Sequence, residues 1–365
     1  MKIILKYIFF QLLLFVSYST GNAQTNIEKL DLDAFNALEK HSETAQHLAT
    51  KIISVAKPTD SSKYLINANT ILGIVNKDKG FYVSSLNFYL KALRFAEKAD
   101  DKERVSASYN NIGVIYQLQR NFQTAIKYFR KSLDLEENFN YPLQKSIRYY
   151  NLGDCYKELD SFDLALSFFN NSLLIEQRYK KTEGVIYAYL GIAEVYLEIG
   201  QLEDAKRMLD KVKLKISETY IEESILYHKL LGVYYFKNSL FKESLLVLSL
   251  AETISNKNNF PIHLLEIFKV EIDVLENMKS WEYVSKKYKQ YSLLDNKLSA
   301  IAIKNKINDL TYNNEIQKKE LEFSLIQEER DFAEKLSKYN KKIAFFLIAL
   351  LLFVVGFVFY GFKKN

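Results

Sequence analysis

The stretch from Tyr109 to Leu133, YNNIGVIYQLQRNFQTAIKYFRKSL, spaces its apolar residues with a helical period. The stretch from Tyr149 to Leu173, YYNLGDCYKELDSFDLALSFFNNSL, repeats that spacing one unit further on. Gly113 matches Gly153, Tyr116 matches Tyr156, Ala125 matches Ala165 and Phe129 matches Phe169. The same step reaches Ala193, Tyr196, Ala205 and Leu209. One position short of a full step it then reaches Gly232, Tyr235, Ser244 and Leu248, and backwards it finds Gly73, Ser85 and Tyr89. Each unit predicts two amphipathic helices. On the first, a large apolar residue, a small residue and a Tyr share one face, and the small side chain lets the second helix approach closely. Ala125 or Ala165 does the same from the second helix. A lone helix pair cannot bury its apolar face, so the units are expected to stack into an all-α solenoid.

The pattern weakens at both ends. Ala45, Ala49 and Ile52 read as a second helix, while Ile272, Leu275, Val284 and Tyr288 keep the step without the small residue. Such degenerate units are expected as caps. Pro58, Pro142 and Pro261 each fall just before a predicted first helix, where a missing amide costs little.

This order, a small residue then Tyr, followed by Ala and Phe in the second helix, resembles the tetratricopeptide repeat. The resemblance covers Ser62 to Asn256 and implies a TPR-like α-solenoid of about five clear repeats of ~40 residues plus degenerate terminal repeats. The unit exceeds the family's usual ~34 residues, so the extra length is expected in helices or connecting loops.

From Asp295 the chain turns charged and lacks Gly and Pro, which predicts one long helix over 295–342 after a repeat domain over 24–294. Ile303, Ile307, Leu310, Leu321, Leu325, Phe332 and Leu336 form a stripe broken by Asn314 and Gln317. Two arrangements stay open: a parallel homodimer through a coiled coil, or a single helix on the last repeat. Ile343 to Phe362 follows without a single charge, flanked by Lys341, Lys342, Lys363 and Lys364. That is the expectation for a transmembrane helix over 343–362 with a short cytoplasmic tail, 363–365. At the other end Lys2 and Lys6 precede an apolar run from Tyr7 to Tyr18, and Gly21 and Ala23 precede a cut before Gln24, so residues 1–23 read as a signal peptide. Together these predict a single-pass protein of the cytoplasmic (inner) membrane with its repeats facing the periplasm. Lys335, Lys338, Lys341 and Lys342 run against the positive-inside bias in that orientation. The whole arrangement resembles the extracytoplasmic sensor half of the repeat-containing histidine kinases and helix-turn-helix regulators of Bacteroidetes, without an output domain.

The net charge of +6 is spread among interleaved acids and bases, which points away from nucleic acid. Cys155 is the one cysteine, so no internal disulfide can form, and its place between Gly153 and Tyr156 reads as packed. His228 falls at the aromatic position of its repeat. His263 and Glu266 lie three apart on one helix but lack the second cluster that a metal site needs. His41 and His47 fall on different helical faces. With no phosphate-cradling loop or nucleophile motif either, no catalytic residue, metal or cofactor is expected, and the chain reads as a binding protein rather than an enzyme.

The resemblance implies a concave groove, lined by first helices, that holds a protein or peptide partner. Asn111 and Asn151 stand two positions before their glycines, where the family often uses Asn on a peptide backbone, since an amide both donates and accepts. Asn110, Tyr150, Asp154, Lys157, Glu194 and Lys229 would line the same face. The preceding repeat offers Thr70 and Ile74 rather than basic residues, so a carboxylate clamp is not expected.

Overall fold

The computed structural model describes residues 27–38, 41–56, 62–136, 141–217 and 219–362, and beyond residue 318 only the side chains of 332, 335–340 and 343. Every element among them is an α-helix. A helix at 27–37 (α1) precedes α2 (Ser42–Val55), α3 (Ser62–Asp78), α4 (Tyr82–Lys98), α5 (Lys102–Leu118), α6 (Phe122–Glu136) and α7 (Pro142–Lys157). Then come α8 (Phe162–Arg178), α9 (Thr182–Glu198), α10 (Leu202–Lys213), α11 (Ile221–Lys237), α12 (Phe241–Lys257), α13 (Pro261–Asn277) and α14 (Trp281–Phe362). Odd-numbered helices are the first helices of their repeats. Pro142 and Pro261 stand at the opening of α7 and α13, as expected; Pro58 lies outside the described residues. The extra length of the unit goes into the helices: α3 and α4 have 17 residues each, as many together as a whole repeat of ~34.

What stops most of these helices recurs at a fixed step, about twice per repeat. Gly80, Asp100, Arg120, Asp160, Lys180, Gly200, Ser239, Asn259 and Lys279 all take the left-handed conformation, φ between 51° and 77°. In every case the next residue's N–H donates back across the helix end, from Phe81 to the Asn76 carbonyl (2.8 Å) through to Ser280 and Leu275 (3.0 Å). This reversal satisfies the last carbonyls and turns the chain sharply. It favours glycine, yet most positions carry polar side chains, so composition alone does not reveal the turns.

Within a repeat the two helices meet where one has no side chain. A Cβ on Gly113 would lie 2.6 Å from Phe129, on Gly153 2.7 Å from Phe169 and on Gly232 2.6 Å from Leu248, and one on Gly73 would come closer still to Tyr89. Where Ala193 replaces the glycine, the facing residue is Leu209, and both are fully buried. Ala125, Ala165 and Ala205 are fully buried too. Where serine takes that place, its hydroxyl donates to the glycine carbonyl opposite: Ser85 to Gly73 (2.7 Å) and Ser244 to Gly232 (2.8 Å). The recurrent tyrosines pack flat on the second helix, Tyr116 on Tyr128 and Tyr156 on Phe168, ring centres 5.5 Å apart.

Between repeats, each first helix from α3 to α11 lies against the first helix that follows it, whereas second helices pack mainly on first helices, although Lys287 on α14 reaches Glu252 on α12 (3.1 Å). First helices therefore form the inner layer and second helices the outer one. The step shortens by one position where α10 stops after 12 residues and an irregular segment leads to Tyr220 and α11.

Ala45, Ala49 and Ile52 are fully buried on α2, as their spacing predicts. Ile272, Leu275 and Val284 form a small terminal core with Tyr291 against it. The spacing also puts Tyr288 there; it is instead 54% exposed, because the helix turns Tyr291 inward. The charged segment after Asp295 continues α14, which starts at Trp281 as the last second helix. Asn305 on α14 donates to the Lys79 carbonyl in the α3–α4 turn (3.1 Å). Ile303, Ile307, Leu310, Phe332 and Leu336 are all exposed, and Leu321 and Leu325 lie outside the described side chains. The chain divides into two compact units at Ile307, the second being the rest of α14.

The leader expected at 1–23 lies outside the described residues. The membrane span expected at 343–362 is helical in backbone to Phe362, but its side chains from 344 onward also lie outside them. Among the described residues no helix is long and apolar enough to cross a membrane.

The contact at Gly113 yields a test. Gly113→Ala drives a methyl into the Phe129 ring and should cost about 1–3 kcal/mol. Shortening the ring with Phe129→Leu, which imitates the Ala193–Leu209 pair, should then show a coupling energy above about 0.5 kcal/mol in a denaturant double-mutant cycle. Strict additivity would show that the two residues do not set the helix spacing.

Candidate functional site

The groove residues sit on the inner layer, and adjacent first helices tie them together in three groups. In the first, Asn151 on α7 donates to Asn110 Oδ1 on α5 (3.3 Å), and Asn110 donates to Asn111 at 3.5 Å. Each amide has two donors and two acceptor positions. The Asn111 nitrogen and the Asn151 oxygen have no partner in the protein among the described residues, and both side chains are half-buried.

In the second group, Gln117 on α5 donates to Asp154 on α7 (2.7 Å). Lys157 reaches Asp154 at 3.1 Å and Glu194 on α9 at 2.7 Å. Burial disfavours the Lys157 charge, but Glu194 and Asp154 outweigh it and raise its pKa. In the third, Lys229 on α11 meets Glu266 on α13 (2.6 Å), and His263 donates to Glu222 (3.2 Å). The pairs 117–154, 157–194 and 229–266 share one sequence offset of 37, about a helical turn short of a repeat. They therefore join a side chain to the next first helix one turn nearer its start. Three of the expected site residues, Asp154, Lys157 and Glu194, thus form one cluster, and Lys229 belongs to another two helices on.

The His263–Glu266 pair, weighed in the sequence as a metal half-site, is part of that ion-pair network. Among the described residues no group of three or more His, Cys, Asp or Glu is placed to hold a metal. Cys155 is fully buried and burial pushes its thiol up to about 12, so it is unreactive as expected. His228 hydrogen-bonds the Ser224 carbonyl (2.7 Å), and burial lowers its pKa.

Tyr150 leads to a feature that the spacing of the asparagines does not reveal. Its ring lies against Phe169 and Tyr187, centres 5.3 Å and 6.0 Å away. It walls a cavity of ≈ 710 Å³ between α7, the end of α8 and the start of α9, closed on one side by Tyr220. Leu143 and Ile147 complete the apolar wall, Glu176 with Ser146 and Ser172 lies at its foot, and Lys180 and Lys181 stand at its rim. Burial, then Glu222, Glu223 and Glu183, raise the Tyr187 pKa, so its hydroxyl stays protonated. The sequence does hold a signal for this site. Ser146 and Ser172 repeat Ser106 and Ser132, whereas the other repeats carry Ile66/Ala92, Ile186/Val212 and Ile225/Ala251 there.

The tetratricopeptide repeat family model matches residues 64–138 and 146–212. Those stretches hold most or all of each helix from α3 to α10, and the chain is an all-α, tetratricopeptide-like solenoid. No curated protein matches the sequence. Among solved structures, the apo form of RapI aligns with TM-score 0.63 at 12% identity, covering 75% of this chain and 99% of that one. A Rap protein complexed with competence and sporulation factor aligns with TM-score 0.56 at 14% identity, covering 76% and 79%. Aspartyl phosphate phosphatase F from Bacillus subtilis aligns with TM-score 0.51 at 15% identity, covering 71% and 74%. At these identities the likeness is one of fold.

The ion-pair network fixes a pH dependence. Glu222 and Glu266 raise the His263 pKa to about 9 against burial. Burial opposes the Glu266 charge, but His263 and Lys229 outweigh it and hold that carboxyl at about 2. The His263 contribution is complete below its unfolded value of 6.5 and is lost as pH rises through about 9. The Glu266 contribution is complete above 4.5 and is lost as pH falls through about 2. Because the carboxylates are half exposed, the discounted loss on going from pH 6.5 to just above pH 9 should be about 1 kcal/mol in urea unfolding. His263→Gln should flatten that slope, and an unchanged slope would place the titrating group elsewhere.

Proposed function

We propose that the protein is a membrane-tethered scaffold that holds an extended peptide or protein partner against the face formed by its first helices. The observation that carries this reading is the half-spent asparagine row on α5 and α7. Its free donor and acceptor suit a peptide backbone, which offers both. The cavity beside it adds a place for a side chain. Fold analogy lends support: a Rap protein of similar architecture was solved in complex with competence and sporulation factor. The tether in this reading is Ile343 to Phe362, an uncharged run long enough to span about 30 Å as a helix. The leader over residues 1–23 puts the repeats on the periplasmic side of the inner membrane. The exposed Ile303 and Ile307 on α14 favour the homodimer over packing on the last repeat.

A second reading makes the protein the input subunit of a signalling system. What favours it is the continuity of α14 from the last repeat at Trp281 to Phe362.

Partner capture from membranes with the full chain addresses both. Asn111→Ala with Asn151→Ala should reduce capture at least about tenfold. It should cost less than about 1 kcal/mol in stability, because the Asn151–Asn110 bond is long and half exposed. A large stability loss with unchanged capture would make the asparagines purely structural. A captured partner with its own membrane helix and cytoplasmic domain would favour the input subunit over the scaffold.

A further inference from the structure

Resting on that groove reading, we propose that the cavity between α7 and α9 receives an arginine side chain of the bound peptide, with Glu176 as its counter-ion. The argument comes from comparing two successive joints of the solenoid. At the joint of α6 and α7, the buried Ser106 and Ser132 hydroxyls lie 2.9 Å apart. Arg148 on α7, 4% exposed, supplies a cation there: its Nε donates to Ser132 Oγ (3.1 Å) and its Nη1 to the Gln144 carbonyl (2.8 Å).

One unit later the serines recur, Ser146 and Ser172 at 2.9 Å, but the residue equivalent to Arg148 is Ala188. No cation enters. The cavity lies there instead, and at its foot Glu176, 7% exposed and the sequence counterpart of Glu136 one unit earlier, accepts a hydrogen bond from Ser146 (2.5 Å). Gly184 makes room for the carboxylate, since a Cβ there would overlap Glu176 Cδ. Among the described residues Glu176 has no cationic partner. A nearly buried carboxylate with one neutral donor lacks the pairing that such charges usually have.

The walls select what can approach. Tyr150, Tyr187 and Tyr220 present rings, and Leu143 and Ile147 an aliphatic surface, so the stem of the incoming group is apolar. A guanidinium fits better than an ammonium, because it is planar, stacks on aromatic faces and pairs with a carboxylate through two parallel bonds. The volume exceeds one side chain and lies in the usual range for small-ligand pockets, so the arginine enters with part of its backbone. Lys180 and Lys181, exposed at the rim, favour an acidic group next to that arginine.

The test titrates N-acetyl-arginine amide and N-acetyl-citrulline amide, its uncharged near-isostere, against the full chain by ligand-observed NMR. Arginine amide should bind at least about tenfold more tightly, and Glu176→Gln should abolish that preference. Ile147→Lys, at a half-exposed wall position, should weaken arginine amide several-fold and leave citrulline amide unchanged. Equal binding of the two amides, no binding by either, or a preference that survives Glu176→Gln overturns the proposal. Should Glu176→Gln not fold, unchanged arginine binding by Ile147→Lys does so. Partner capture that is lost with Asn111→Ala and Asn151→Ala but intact with Glu176→Gln removes the pocket and leaves the groove.

Discussion

A ring laid on bare backbone spaces the helices of this solenoid. Phe129 occupies the volume that a Gly113 side chain would need, and the same exchange recurs between Gly73 and Tyr89 and between Gly153 and Phe169. Phe169 also covers Gly191 on the next first helix, where a Cβ would lie 2.8 Å away, so one ring sets the distance within a repeat and across the joint. Because the packed core is close to incompressible, such contacts leave the helices little freedom of approach. The left-handed turn that ends most of the helices then reverses the chain with the same backbone hydrogen bond each time. Spacing and turn together keep each first helix beside the next, and only that stacking gathers the inner-face residues into a surface.

Polar ties on that surface contribute register more than stability. Lys157 with Asp154 and Glu194, and Lys229 with Glu266, are partly exposed pairs, worth little individually in water. The common sequence offset of the ties between helices holds successive first helices at one relative height. The asparagine row differs in kind, for it retains an unused donor and acceptor. The joint at Glu176 differs again, because Ala188 stands where the preceding joint has Arg148 and leaves a buried carboxylate without a cation among the described residues. Both departures fall on α5 to α9, within the repeats whose sequences agree most closely. Departures from an otherwise strict repeat are where a function is expected to have altered the packing rules.

The period, the helix pairs and the buried Ala125, Phe129, Ala165 and Phe169 were legible because packing demands recur at fixed positions. The turns were less legible: Arg120, Lys180 and Lys279 are poor signals for a left-handed conformation that the backbone hydrogen bonds nonetheless impose. Tyr288 was misplaced because the last second helix has no further repeat to pack against, so its periodic pattern gives way to that of a long charged helix. The site was legible only in part. Asn110, Asn111 and Asn151 do meet, whereas Lys229 joins a separate network through Glu266. The cavity depends on Ser146, Glu176, Gly184 and Tyr220, drawn from three helices and an irregular segment, and no local spacing brings such residues together.

The central claim is that a partner lies on the first-helix face, and site-specific photo-crosslinking measures this most directly. The photoreactive residue p-benzoylphenylalanine would replace Ile147 on α7, 50% exposed on the inner face, or Leu246 on α12, 66% exposed on a second helix. Both positions are exposed, so both variants should fold and react with whatever is bound beside them. The account predicts a crosslinked partner from position 147 and none from position 246. Crosslinking from 246 alone, or equally from both, would contradict it.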